Sequence, residues 1–164
     1  MYSRLVFVIV WILAAISGEA QVGKGAAKSL SKEEAIAFLG QPSLTSLNWS
    51  KWVGPDFDVY YGRSKSHLSG EVGIYFGYAP DFPSDTSLST VETQIGKFHV
   101  KWLCNVKADK SVRQETLVSI GPRDLKAHVW LEANNQSDVD KLVSQVSRLP
   151  VFAEGKTPPG FHGP

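Results

Sequence analysis

Between Leu125 and Leu149 the spacing of apolar residues changes period, and no other stretch restricts the fold as much. Leu125, Ala127, Val129, Leu131 and Ala133 alternate with Lys126, His128, Trp130 and Glu132, the pattern of a half-buried strand. Val139, Leu142, Val143, Val146 and Leu149 then recur at helical spacing and make one apolar stripe. Ser137 stands at the expected N-cap, Asp138 and Asp140 fall in the electropositive first turn, Arg148 lies in the last turn and Pro150 stops the helix. A strand that runs into an amphipathic helix must give that helix something to cover, most simply its own sheet. The pattern specifies an architecture and not an activity.

The amino-terminal residues differ in kind from the rest. Arg4 precedes an unbroken apolar run from Leu5 to Ile16, and Gly18 and Ala20 supply small residues at the −3 and −1 positions of a signal-peptidase site. Residues 1–20 are therefore expected to be a secretory signal peptide, which places the protein in a secreted or periplasmic location. The run is shorter than the roughly 20 apolar residues that span a bilayer. The alternative is an uncleaved anchor, which would make this a membrane-anchored envelope accessory protein and is the only route to a membrane that the sequence offers. With 43% hydrophobic and 20% charged residues, the remainder has the composition of one globular domain. A net charge of +1 without a basic stripe argues against a nucleic-acid partner. Cys104 is the only cysteine, so no intrachain disulfide staples the domain and its core must suffice. Cys104 alternates in phase with Phe98, Val100 and Trp102, which predicts a buried, unpaired thiol.

Residues 21–30 read as a flexible leader, and Gly23-Lys24-Gly25 lacks the spacing of a phosphate loop. Ser31 and Glu34 form a capping box ahead of Ala35, Ile36, Phe38 and Leu39, and Gly40 and Pro42 end that helix. Leu44 to Asp56 shows no clear period. Strands are expected where Phe57, Val59 and Tyr61 alternate with Asp58 and Tyr60, and around Val72–Tyr78, Phe98–Val106, Thr116–Ile120 and Leu125–Ala133. Gly121-Pro122-Arg123-Asp124 predicts a type I turn, and Ala79–Gln94 reads as a long loop. Residues 154–164, with three prolines among them, are expected to be a disordered tail. The expectation is a single α+β domain over 31–153: an antiparallel sheet of about five strands with an N-terminal and a C-terminal helix packed on one face.

If the helices cover the Val72, Phe98, Val118 and Val129 side, the opposite face carries Tyr60, Tyr75, His99, His128 and Trp130 with Lys101, Lys126 and Glu132 among them. Gly73 and Gly77 flank Tyr75 there and leave a shelf on which a ring can approach the backbone. An apolar, aromatic surface with scattered polar groups suits a binding function, with an unidentified ligand or protein as partner. The alternative is a small secreted hydrolase or isomerase with His99 and His128 in its site, either of them in an acid–base role with Glu115 or Glu132 as orienter. Two histidines alone do not make a metal site, and no cofactor or metal is expected. No Gly-x-Ser-x-Gly elbow or His-Glu-x-x-His motif occurs. Asn48-Trp49-Ser50 and Asn135-Gln136-Ser137 match the glycosylation sequon, and the second overlaps the expected N-cap.

Overall fold

The structure, a computed structural model, describes residues 28–40, 47–64, 70–83, 88–159 and 161. The expected signal peptide and most of the leader lie outside the described residues. No helix among the described residues is long and apolar enough to cross a membrane. Eight strands build one antiparallel sheet: β1 (Lys28–Ser29), β2 (Leu47–Val53), β3 (Phe57–Ser64), β4 (Glu71–Gly77), β5 (Ser89–Ile95), β6 (Phe98–Val106), β7 (Val112–Ser119) and β8 (Lys126–Ala133). Their spatial order is β1-β2-β3-β4-β8-β7-β6-β5. The helices are α1 (Lys32–Leu39), α2 (Gln136–Val146) and the single turn α3 (Pro150–Ala153).

The expected sheet of about five strands with two flanking helices is therefore wrong: the molecule is mostly a wide eight-stranded sheet with little helix. Three strands escaped the sequence: β1, whose two exposed residues fall in the expected flexible leader yet pair with Lys51 and Ser50 of β2, and β2 and β5. In β2, Leu47 and Trp49 set an inward phase that Lys51 breaks, yet Lys51 stays inward because its Nζ lies 2.8 Å from buried Asp58 Oδ2. In β5, every residue except Ile95 is exposed, so this edge strand carries the polar side chains of a loop.

The order describes two meanders, β1 to β4 and β5 to β8, joined where β4 pairs with β8. Since each neighbouring pair is antiparallel, β4 and β5 run in the same direction four strand spacings apart. Their connection must travel roughly 19 Å across the sheet as well as back along it, which is why it is long.

The inner face presents Val72, Ile74 and Phe76 of β4, Ala127, Val129 and Leu131 of β8, and Val112 and Val118 of β7. Phe38 and Leu39 of α1, Val139, Leu142 and Val146 of α2, and Val151 and Phe152 of α3 join them in one buried cluster. A fully buried side chain such as Ile74 or Val129 contributes about 1.5–3 kcal/mol. The Ser31 hydroxyl accepts the Glu34 N–H and the Glu34 carboxylate accepts the Ser31 N–H, so the capping box forms. Gly40 closes α1 in the left-handed region at φ 63°.

α2 starts earlier than expected. Its N-cap is Asn135, not Ser137: the Asn135 side chain accepts the Asp138 N–H from an extended backbone. Pro150 forces Leu149 out of the helical region (φ −60°, ψ 138°) and then opens α3 as its first residue. The Gly121–Asp124 link is no type I turn, because Arg123 and Asp124 both sit at positive φ, 57° and 63°. Cys104 is unpaired and half-buried, and burial raises its thiol pKa against an opposing hydrogen bond from Gln114.

β3 has the opposite phase from the expected one. Tyr60 pairs with Ile74 and Asp58 with Phe76, so both point into the core, while Phe57, Val59 and Tyr61 face outward. Tyr60 is only 2% exposed and its ring stacks on Phe38, centroids 3.8 Å apart. Partners on the inner face outweighed hydrophobicity: α1 offers the phenol a ring and Lys51 offers the Asp58 carboxylate a counter-charge. In the segment after α3, Pro158 is buried and the Tyr60 hydroxyl donates to the Pro159 carbonyl at 3.4 Å.

Candidate functional site

The registers lay out the outer face as cross-strand rows. One row runs Trp52, Val59, Tyr75, His128 and Leu117 across β2, β3, β4, β8 and β7. The next runs Ser50, Tyr61, Gly73, Trp130, Glu115 and Leu103. A third runs Asn48, Arg63, Glu71, Glu132, Arg113 and Asn105. Two aromatic rows thus lie beside a row of paired charges, because side chains of one parity on neighbouring strands stack laterally.

The glycine shelf is filled by the protein itself. Gly73 faces Trp130 across the β4–β8 pair, and a Cβ on Gly73 would lie 1.8 Å from the indole Cε2. The Trp130 ring therefore lies down on the backbone of β4. Gly77 is occupied in the same way by the Tyr75 ring, whose hydroxyl would be 2.4 Å from an added Cβ. Phe57 stacks on Tyr75 at 5.5 Å and Trp52 meets Tyr61 edge-on at 6.0 Å. Beneath these rings Val59 is buried although it faces away from the core.

His128 is more enclosed than an outer-face residue is expected to be. The Phe82 ring, from the β4–β5 connection, stands perpendicular to the imidazole with centroids 5.2 Å apart, and the Trp130 ring centroid lies 5.3 Å away, leaving 8% of the side chain exposed. His128 Nε2 is 2.9 Å from Glu115 Oε2. Burial works against the charged form of Glu115, but the hydrogen bonds from His128 and Arg113 prevail and set its pKa below the usual carboxylate value. An ionised carboxylate only accepts, so Nε2 carries the proton and donates. Arg113 Nε reaches Glu115 Oε1 at 2.6 Å, and Lys107 Nζ reaches Glu132 Oε1 at 2.6 Å.

At the other end of the charged row Arg63 Nε donates to Glu71 Oε1 at 2.9 Å, and the Tyr61 hydroxyl donates to the other Glu71 oxygen. Burial and that carboxylate push the Tyr61 pKa up to about 12, against the pull of Arg63. Glu71 and Glu132 are direct cross-strand partners of like charge, and the cations beside each hold the row together.

Of the expected binding residues, the structure brings together Tyr75, His128 and Trp130 on adjoining positions of β4 and β8. It removes two. Tyr60 belongs to the inner face, as described above. His99 lies on β6, with β7 between it and β8, and its Nε2 is 3.2 Å from Gln94 Nε2 on the edge strand. His99 and His128 are therefore not brought into one site, although the proposed Glu115 orienter does meet His128. Sequence reading missed Trp52, Tyr61, Phe57 and Phe82. Trp52 was legible in principle, since Asn48, Ser50 and Trp52 alternate with Leu47 and Trp49, but the phase of β3 was not. No protein-family model, no curated protein and no solved structure matches the chain.

Proposed function

We propose that this is a secreted or periplasmic non-enzymatic domain that binds another molecule through the outer sheet face, with Tyr75 and Trp130 at the centre and Trp52 and Tyr61 beside them. The observation that carries the reading is the band of rings on the face that the helices leave uncovered: half-buried Trp52, Tyr61, Phe57, Tyr75 and Trp130, with buried His128 among them. Surface area of that kind is a common mark of an interaction site. Because Trp130 and Tyr75 fill the notches over Gly73 and Gly77, neither glycine leaves a recess for a small molecule. An aromatic band bordered by Arg63, Glu71, Glu132 and Arg113 suits a macromolecular partner with polar groups at its rim. The enclosure of His128 under Phe82 and its separation from His99 speak for binding over acid–base catalysis.

The test is site-specific photo-crosslinking in the source cells, with the photoreactive residue at Tyr75 or, as control, at exposed Ser144 on α2. A discrete adduct from position 75 and none from position 144 is expected. No adduct from position 75, or equal adducts from both, contradicts the reading. The location has its own check: the exported protein should begin at Gln21, and an exported chain that begins at Met1 contradicts a cleaved signal.

A further inference from the structure

A second candidate surface lies at the rim of the inner face, where the segment after α3 returns to the sheet. Phe38 stacks on Tyr60 at 3.8 Å and Lys51 Nζ stands 4.9 Å from the centroid of the same ring. The phenol is thus fixed on both sides and presents its hydroxyl as a single aimed donor. Burial raises the Tyr60 pKa, against the pull of Lys51, which keeps that hydroxyl protonated. Its acceptor is the Pro159 carbonyl. Pro158 beside it is buried, and a proline can be buried there without leaving an N–H to satisfy. The chain then turns, with the Phe161 N–H donating to the Pro158 carbonyl at 3.2 Å, and the Phe161 ring returns to Tyr78 at 6.4 Å. Upstream, Lys97 Nζ holds the Glu154 carbonyl at 3.1 Å.

We propose that the Tyr60–Tyr78 rim is a recognition groove for a proline-rich peptide of the form Pro-Pro-x-aromatic, and that Pro158, Pro159 and Phe161 of this chain are its built-in occupant. The contacts are of the kind that recognise such peptides: an aromatic hydroxyl on a prolyl carbonyl, buried pyrrolidine surface and one aromatic anchor. Prolines lose little freedom on docking, so a few contacts suffice to hold them. A peptide from another molecule makes the same contacts, and the chain's own segment prevails through its high effective concentration. This groove is on the opposite side of the sheet from the outer-face band and does not depend on it.

The test uses the whole exported protein and a fluorescent peptide of residues 157–164, which trypsin does not cut. Substituting Pro158→Ala with Phe161→Ala in the protein weakens the occupant and leaves the groove intact. Peptide binding should become about tenfold or more tighter than for the unaltered protein. Adding Tyr60→Phe should then weaken it about fivefold, the effect of one lost hydrogen bond. Equal binding before and after the double substitution, no binding at millimolar peptide, or indifference to Tyr60→Phe overturns the proposal. Should the substituted protein fail to fold, the unaltered one decides: excess peptide should displace the segment and speed tryptic cleavage after Lys156, and unchanged cleavage overturns the groove.

Discussion

Ile74 and Tyr75 are neighbours in β4, as Val129 and His128 are in β8, yet the two faces they define bury themselves by different means. The inner face is covered from outside, by Phe38, Val139, Val146 and Phe152 of the helical layer. The outer face covers itself. Trp130 lies on Gly73, Tyr75 on Gly77, and Phe82 reaches over His128 from a connection that the topology makes long. A covered face needs apolar side chains of matched volume. A self-covered face needs glycines opposite large rings, and its charges must be matched within the sheet, as Arg63–Glu71 and Arg113–Glu115 are.

The largest expected effects belong to the inner face. Val129→Asp places a carboxylate at a position with 0% exposure and should cost about 3–5 kcal/mol or abolish folding, read by thermal or urea unfolding. Val143→Asp should cost less, because Val143 lies at the margin of the core rather than inside it. Equal losses at the two sites would break the distinction between the covered interior and its border.

On the outer face the most sensitive site should be a glycine. Gly73→Ala drives a methyl into the Trp130 ring and should cost about 1–3 kcal/mol, the usual range for overpacking. A denaturation midpoint that does not move would mean that Trp130 does not rest there.

A smaller effect is expected from the Glu115–His128 pair, and it is tied to pH. The pKa of Glu115 is depressed by folding, so its contribution is present above the ordinary carboxylate value and fades as pH falls below about 4.5. Glu115→Gln should flatten the stability profile over that acid range. An unchanged acid limb would show that the pair contributes nothing. The smallest effect is predicted for His99→Ala, which should stay within about 0.5 kcal/mol because His99 is exposed on β6.

Much of the inner face was legible from the residues. The capping box at Ser31 and Glu34, the stripe Val139–Leu142–Val146 and the alternation of β4, β6 and β8 all follow from local pattern. The phase of β3 was not, because Phe57, Val59 and Tyr61 look more apolar than Asp58 and Tyr60. Only the position of Phe38 and Lys51, brought in from α1 and β2, makes the second set the buried one. The site was legible where it lay on adjacent strands. Tyr75, His128 and Trp130 meet because β4 pairs with β8, whereas His99 shares their orientation but sits two strands from β8. Strand order depends on long-range pairing, which alternation within a strand does not encode. The same limit hid the purpose of Gly73: the sequence shows a shelf, and only the register shows that Trp130 occupies it.

That seat is the feature on which the account of the outer face turns, and a double-mutant cycle tests it directly. Gly73→Ala and Trp130→Ala should be measured singly and together by equilibrium unfolding. With the indole removed, the added methyl has nothing to strike, so Gly73→Ala should cost at least about 1 kcal/mol less in the Trp130→Ala background than alone. Costs that simply add would contradict the self-covered face and leave the glycine shelf open to something else.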